Sequence, residues 1–320
     1  MFFQNIVLAI RKNKLLYYAK NFLQQRIPAM GYEKAVQKKQ AVIQLYDEAY
    51  ITDRVNYYNK LNQFMLLGKQ AVALREIWKI KSPKAYRFDT MAYTRYFNPS
   101  LKANFTFGDV ITTPTIPTLQ KSRPVASNNQ NAILLKLDKK RHFFFIHDRK
   151  TFVEKKNMMI GRASVVQPHR IRFMEMYYNH PLCDLGQVNR EGGNAEWLKP
   201  KISITAHLDY KFILSLEGHD VATNLKWIMS SNSIAVMPKP KYETWFMEGR
   251  LIGNHHYIQI KDDYSDLEER LQYYLNHPNE AEAIIVNAHQ YIEQFFNTTQ
   301  EDLISLLVLQ KYFKLTGQVE

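Results

Sequence analysis

The chain has 320 residues, enough for two domains rather than one small core. Apolar residues make up 46% of it, so disorder is not the default, and a single cysteine, Cys183, excludes a disulfide framework or a cysteine-rich zinc site. Lys and Arg number 43 against 30 Asp and Glu, a formal charge of +13 with a pI near 9.5, so an anionic partner is expected: nucleic acid, an acidic membrane surface or a phosphorylated substrate.

Residues 1–10 are apolar but few; Gln4 and Asn5 interrupt them, and Arg11, Lys12 and Lys14 follow them. A secretory leader has the reverse order, and no stretch approaches the roughly 20 apolar residues that span a bilayer. The expected location is cytoplasmic, at most peripheral on the inner face of a membrane. Leu15, Tyr18 and Phe22 alternate with Lys12, Lys14, Lys20 and Arg26 as an amphipathic helix with a basic polar face. Such a helix suits an anionic lipid surface or packing on its own domain. Helices are predicted over 33–58 and then up to about Lys79. From Lys81 to Arg123 prolines punctuate the chain and helical periodicity is lost, which predicts loops and short strands, ordered by their aromatic residues.

In the second half, strands are predicted at 158–160, 182–185, 210–216, 234–237 and 257–260. Helices are predicted at 167–178, 220–230, 267–274, 280–296 and 301–313. Strand and helix alternate, so the fold class is α/β with a parallel sheet covered by helices.

Two strand ends carry glycines ahead of helices. In Glu217-Gly218-His219-Asp220-Val221-Ala222-Thr223-Asn224-Leu225-Lys226, the amides of Val221, Ala222 and Thr223 could hold a diphosphate, with Asn224 or Lys226 beside it. The same residues equally make an ordinary helix start with Asp220 as N-cap. Gly161-Arg162 is followed by Gln167-Pro168-His169-Arg170, where arginine forks suit phosphate oxygens and His169 could be a base, a phosphate donor or a cap. Arg123, in Lys121-Ser122-Arg123-Pro124, could touch phosphate or lie at the surface. Asp109, after Phe107-Gly108, could be a general base or a turn residue. Glu243 could accept both hydroxyls of a sugar ring or stabilise a helix start. No two aspartates stand at i and i+2, so the Asp-x-Asp pattern of metal-dependent sugar transferases is missing, and the adjacent His255 and His256 make a poor metal site. No bound metal or permanent cofactor is expected.

These pieces together resemble glycosyltransferase family 90, the CAP10-like and Rumi-like group, and within it the bacterial lipopolysaccharide-modifying members. The resemblance rests on Gly161-Arg162, Gln167-Pro168-His169-Arg170, Pro181-Leu182-Cys183-Asp184, Glu217-Gly218-x-Asp220-Val221-Ala222-x-Asn224-Leu225-Lys226-Trp227, Met229 to Ser233, Glu243-x-Trp245-Phe246, and His256-Tyr257-Ile258 to Asp266-Leu267. Phe107-Gly108-Asp109-Val110 and Lys121-Ser122-Arg123-Pro124 fit the bacterial subgroup. The resemblance covers about residues 100–297.

It implies a GT-B architecture, two Rossmann-like domains facing across a cleft, with extra N-terminal helices. The implied division is 1–155 on the acceptor side, 156–299 binding nucleotide sugar, and a helix at 300–320 packing back toward the first domain. It implies inverting, metal-independent transfer of a hexose or pentose from a UDP-sugar to a lipopolysaccharide core or related surface glycan. Eukaryotic relatives carry arginine where Asn224 stands, so Arg123, Arg162 or Arg170 is expected to substitute. The base falls to Asp109, with Asp89 and His169 as fallbacks. Two other classes compete: a basic nucleic-acid-binding protein, which leaves the strand–Gly–helix sites unexplained, and an inactive scaffold of the same fold.

Overall fold

A computed structural model describes residues 17–19, 21–23, 29–42 and 47–320. The amphipathic reading of Leu15, Tyr18 and Phe22 with the basic residues around them lies largely outside these. The chain divides into two compact units. One comprises Met1–Phe144, Tyr242–Glu248 and Phe295–Glu320; the other comprises Phe145–Lys241 and Gly249–Gln294.

The first unit opens with α1 (Tyr32–Val42) and α2 (Glu48–Tyr58), followed by β1 (Val72–Ala73), a 3-10 turn at Leu74–Lys79 and α3 (Lys84–Thr94). Then come β2 (Lys102–Thr106), β3 (Thr118–Gln120), β4 (Ser122–Pro124), β5 (Ala132–Leu134) and the short α4 (Lys139–His142). The second unit carries β6 (Lys156–Ala163), α5 (Pro168–Tyr177), β7 (Cys183–Gln187), α6 (Ile204–His207), β8 (Tyr210–Leu214), α7 (Leu225–Ile228) and β9 (Ile234–Met237). The chain returns to the first unit for β10 (Tyr242–Thr244), adds β11 (Ile258–Gln259), α8 (Leu267–Asn276) and α9 (Pro278–Glu293) to the second, and ends in the first with α10 (Thr298–Leu315).

Each unit is built on parallel strands. In the first, the order is β1-β2-β3-β5, with β2, β3 and β5 parallel and β1 antiparallel; β4 and β10 form a separate antiparallel ribbon. In the second, the order is β11-β9-β8-β6-β7, parallel throughout. Strands covered on both faces are continuously apolar rather than alternating, and all four residues of β9 are buried. Phe173 of α5, Leu267 and Leu271 of α8 and Ile284 of α9 close over Met159, Phe212 and Val236. The class is α/β, as the alternation implied.

Several elements differ from their predicted form. Residues 33–58 make two helices, because Asp47 caps the second by accepting from the Ala49 N–H at 2.8 Å. Helix α3 lies inside the stretch predicted to lack helix. Its buried face is Tyr86, Asp89, Thr90 and Tyr93, which has helical spacing but not the aliphatic residues that reveal it. The helix predicted over 220–230 shrinks to α7. Asn224 turns inward instead, donating from Nδ2 to the Leu214 carbonyl at 2.9 Å and accepting from Ser215 Oγ at 3.1 Å, so 215–224 is a clipped loop.

The first unit is held by a buried charge cluster. Glu301 of α10, 2% exposed, pairs with Arg54 of α2 at 2.6 Å and Lys136 at 2.7 Å, and accepts from Trp245 Nε1 at 2.7 Å. Tyr58 stacks on Trp245 at 3.7 Å and donates to its carbonyl at 2.8 Å. Burial pushes the Glu301 carboxyl up, but Lys136, Arg54 and Trp245 together hold it below the usual carboxylate range. In the second unit Gly161 is buried within β6. A Cβ there would stand 2.8 Å from Leu185 and 3.2 Å from Leu214, on the two neighbouring strands, so its smallness serves sheet packing.

Two outcomes follow. Glu301→Gln is expected to destabilise the protein by about 3–5 kcal/mol near neutral pH, because Arg54 stays buried, with the partly buried Lys136, beside a neutral amide; urea denaturation measures it. Since the folded-state pKa is depressed, the carboxylate's contribution is complete above its unfolded value, roughly 4.3, and is lost as pH falls through the folded one. Wild-type and variant stabilities should therefore converge in acid. Gly161→Ala is expected to cost about 1–3 kcal/mol by overpacking, read as a lower Tm.

Candidate functional site

The carboxyl ends of parallel strands are where α/β folds present their ligand-binding groups. In the first unit, Asp109 stands three residues beyond β2, Lys121 directly follows β3, and Arg141 lies in α4 beyond β5. The three meet. Lys121 Nζ pairs with Asp109 Oδ1, Arg141 reaches the same oxygen at 3.2 Å, and Tyr86 donates to it at 3.5 Å. Lys121 is 1% exposed, whereas the Asp109 side chain keeps 30% of its surface, so the carboxylate is the part open to solvent. Desolvation raises its pKa, but the Lys121 hydrogen bond and the charges of Lys121 and Arg141 outweigh it and hold Asp109 below the usual carboxylate range.

The backbone around Asp109 is fixed from both sides. Gly108 has φ of 126°, a conformation that favours glycine. Val110 donates its N–H to Ser122 Oγ at 3.0 Å, and that hydroxyl donates back to the Val110 carbonyl at 3.0 Å. Arg141 is oriented by Asp138 at 2.9 Å. Sequence reasoning did not single out Arg141; the signal was the basic run Lys139-Lys140-Arg141-His142 just after a strand.

Asp89 plays a different part. It is 2% exposed, accepts from the Lys139 N–H at 2.9 Å and from the Tyr17 hydroxyl at 2.8 Å, and its pKa is raised chiefly by burial. The preceding residue, Asp138, makes no cap bond to α4, so Asp89 does so from α3. It anchors the helix that carries Arg141.

Arg123 and Glu243 were expected at a donor site. Instead they sit opposite each other on β4 and β10, with Arg123 Nε donating to Glu243 at 2.7 Å. Arg123 also donates to the carbonyls of Tyr57, Tyr58 and Ala132, and Glu243 takes the Tyr57 hydroxyl. They are 0% and 2% exposed. Buried and paired, they join the strand that returns from the second unit to the first unit's framework.

In the second unit, the ends of β6 and β8 come together. Arg170 donates to the carbonyls of Ser164, Leu216 and Glu217 at 2.7–2.9 Å. His169 donates from Nε2 to the Glu217 carbonyl at 2.9 Å, which assigns its proton to that nitrogen, and burial lowers its pKa. Gly218 donates its N–H to the Asp220 carbonyl at 3.0 Å, and Asp220, Val221 and Ala222 are buried while Thr223 is exposed. Lys226 is fully buried in α7. Arg162 turns along the sheet to Asp184, at 2.8 Å, with Gly161 beside it in the strand. The exposed cations Lys239 and Lys241 follow β9, and the Lys241 N–H donates to Glu217 at 2.9 Å. The loop–helix edge is thus real, but its amides come from a bound loop rather than a helix's first turn.

Among the described residues, no three His, Cys, Asp or Glu side chains converge as a metal site requires, and no helix is long and apolar enough to cross a membrane. The family model for glycosyl transferase family 90 matches residues 119–318. O-glucosyltransferase LpsA of Dichelobacter nodosus is 46% identical over 267 residues, 83% of this chain and 84% of its own length. With a family match over more than half of its residues and a relative so similar along most of its length, the chain belongs to glycosyl transferase family 90.

Proposed function

We propose that the protein is an inverting glycosyltransferase that moves a sugar, glucose first among the candidates, from a UDP-sugar to a lipopolysaccharide core or related surface glycan without a bound metal. The observation that carries this reading is the kinship with an O-glucosyltransferase along most of the chain. Under it, the two units, each with its own parallel sheet, are the halves of a GT-B transferase, working at a cytoplasmic membrane face.

The chemistry needs one base and a place for a leaving diphosphate. Asp109 is assigned the base: it is ionised, solvent-accessible and oriented by two cations. It takes the proton of the acceptor hydroxyl; that oxygen bonds to the anomeric carbon while the bond from this carbon to the diphosphate oxygen breaks, releasing UDP with the electron pair. The diphosphate is assigned to the edge after β8, residues Gly218 to Thr223. There the charge of Arg170 lies directly behind the loop, and Lys239 and Lys241 follow the neighbouring strand. Arg123, Arg162 and Glu243 become framework rather than donor contacts.

With EDTA present, UDP and a matching UDP-sugar should raise the melting temperature selectively over GDP-mannose and a CMP-sugar, because a ligand that binds only the folded state stabilises it. A strict Mg²⁺ or Mn²⁺ requirement for transfer would overturn the metal-free part. Asp109→Asn should lower kcat by about 10²–10⁴-fold while leaving the UDP-induced shift intact; retained turnover would remove Asp109 as the base. Because Lys121 and Arg141 keep Asp109 ionised, the acid limb of the kcat/KM profile should lie below the ordinary carboxylate range.

A further inference from the structure

Beside β2 the first unit holds a cavity of about 350 Å³. β1 begins at Val72, opposite Ala103, and the chain before it closes into a turn through the Ala71 N–H and the Gly68 carbonyl. The last three residues of β2, Asn104, Phe105 and Thr106, therefore line open space, with Gln70, Thr115 and Thr118 around them. Asn104 is 6% exposed. Its Nδ2 donates to the Pro117 carbonyl at 3.0 Å, but its Oδ1, equally buried, has no hydrogen-bond partner among the described residues. A buried acceptor left in this state costs stability and is uncommon in folded proteins.

The lining has a recognisable chemistry. Two carboxamides, three threonines and one aromatic ring stand beside four apolar residues, Val72, Ile80, Pro114 and Ile116, and none of the described residues that line it is charged. That combination suits an uncharged ligand with many hydroxyls and one apolar face. A phosphate or an acidic sugar would find no cation. The volume lies toward the lower end for small-molecule sites, roughly 300–1,000 Å³, which fits one or two sugar rings. A row of side-chain contacts runs from the cavity's Phe105 to the candidate base. Phe105 contacts Phe107 with ring centres 5.5 Å apart, Phe107 contacts Tyr86 at 5.9 Å, and Tyr86 donates to Asp109.

We propose that this cavity is a neutral-sugar subsite for the acceptor glycan, holding one ring while the aromatic row leads toward Asp109. It rests on the transferase reading above and adds what that reading lacks, a seat for the acceptor. The test uses Thr115→Trp, which fills the cavity from an exposed loop position, and Gln70→Ala, which removes an exposed carboxamide. The probe is the core oligosaccharide released from lipopolysaccharide by mild acid. Acceptor kinetics are measured with UDP-glucose, and acceptor-free hydrolysis of UDP-glucose is measured separately. Thr115→Trp should raise the acceptor KM about tenfold with kcat within about twofold, the signature of lost uniform binding, and Gln70→Ala should raise it less. Donor hydrolysis should be unchanged in both. An unchanged acceptor KM in Thr115→Trp overturns the subsite and leaves the transferase reading intact. If the wild type neither transfers nor hydrolyses any nucleotide sugar, the transferase reading fails, and saturation-transfer NMR with the same oligosaccharide decides the cavity alone. Signals present in the wild type and lost in Thr115→Trp keep it as a sugar site; signals absent in the wild type, or retained in the variant, overturn it.

Discussion

The first unit depends on one buried carboxylate. It is assembled from three stretches of chain, and two of them, 242–248 and 295–320, arrive only after most of the second unit has been made. Glu301 is where they meet: Arg54 and Lys136 come from the first stretch, Trp245 from the second, and Glu301 itself from the third. Apolar contact between these pieces is non-directional and would tolerate a shifted register. Charged hydrogen bonds inside a fold do not, because any displacement leaves an ion without its counterion in a poorly solvated place. The ribbon repeats the device two residues away. A one-residue slip of β10 against β4 would part Glu243 from Arg123 and send every side chain of that strand to the opposite face.

This explains which parts of the fold were legible in the sequence. β9 reads directly, since four apolar residues between a serine and a proline can only be a short buried strand in this context. α5 announces itself by Pro168 at its first turn, and α9 by its apolar spacing. α3 is hidden because tyrosines, threonines and an aspartate make its buried face, and the helix predicted over 220–230 shortens because Asn224 bonds back to the end of β8. Local pattern reports local structure; it is silent where a polar side chain has a partner elsewhere.

The same limit governs the site. The resemblance to family 90 could be read from motifs, and the family match and the glucosyltransferase relative bear it out. What each motif residue touches could not be read. Arg123 and Glu243 are 120 positions apart and were both assigned to a ligand, yet they satisfy each other. Arg162 answers Asp184, and Asn224 answers the backbone. Asp109 and Lys121 are twelve positions apart, and the parallel pairing of β2 and β3 brings them together.

Net charge is therefore a poor count of anion-binding groups. The excess of 13 positive charges suggests many free cations, but several of the arginines most suited to phosphate are engaged with carboxylates or carbonyls. The two kinds of engagement differ. An arginine bonded to a buried carboxylate is neutralised, as Arg123 is by Glu243. An arginine bonded only to carbonyls keeps its charge, and Arg170 sits in that state behind the loop after β8. A cation immobilised in this way has lost its side-chain freedom during folding, so an anion that arrives at that edge meets a positive field already in place and has no flexible side chain to order. The distinction between a spent arginine and a fixed one comes from the identity of its partners, and under the transferase reading proposed above it favours the end of β8 over the ribbon as the edge for a diphosphate.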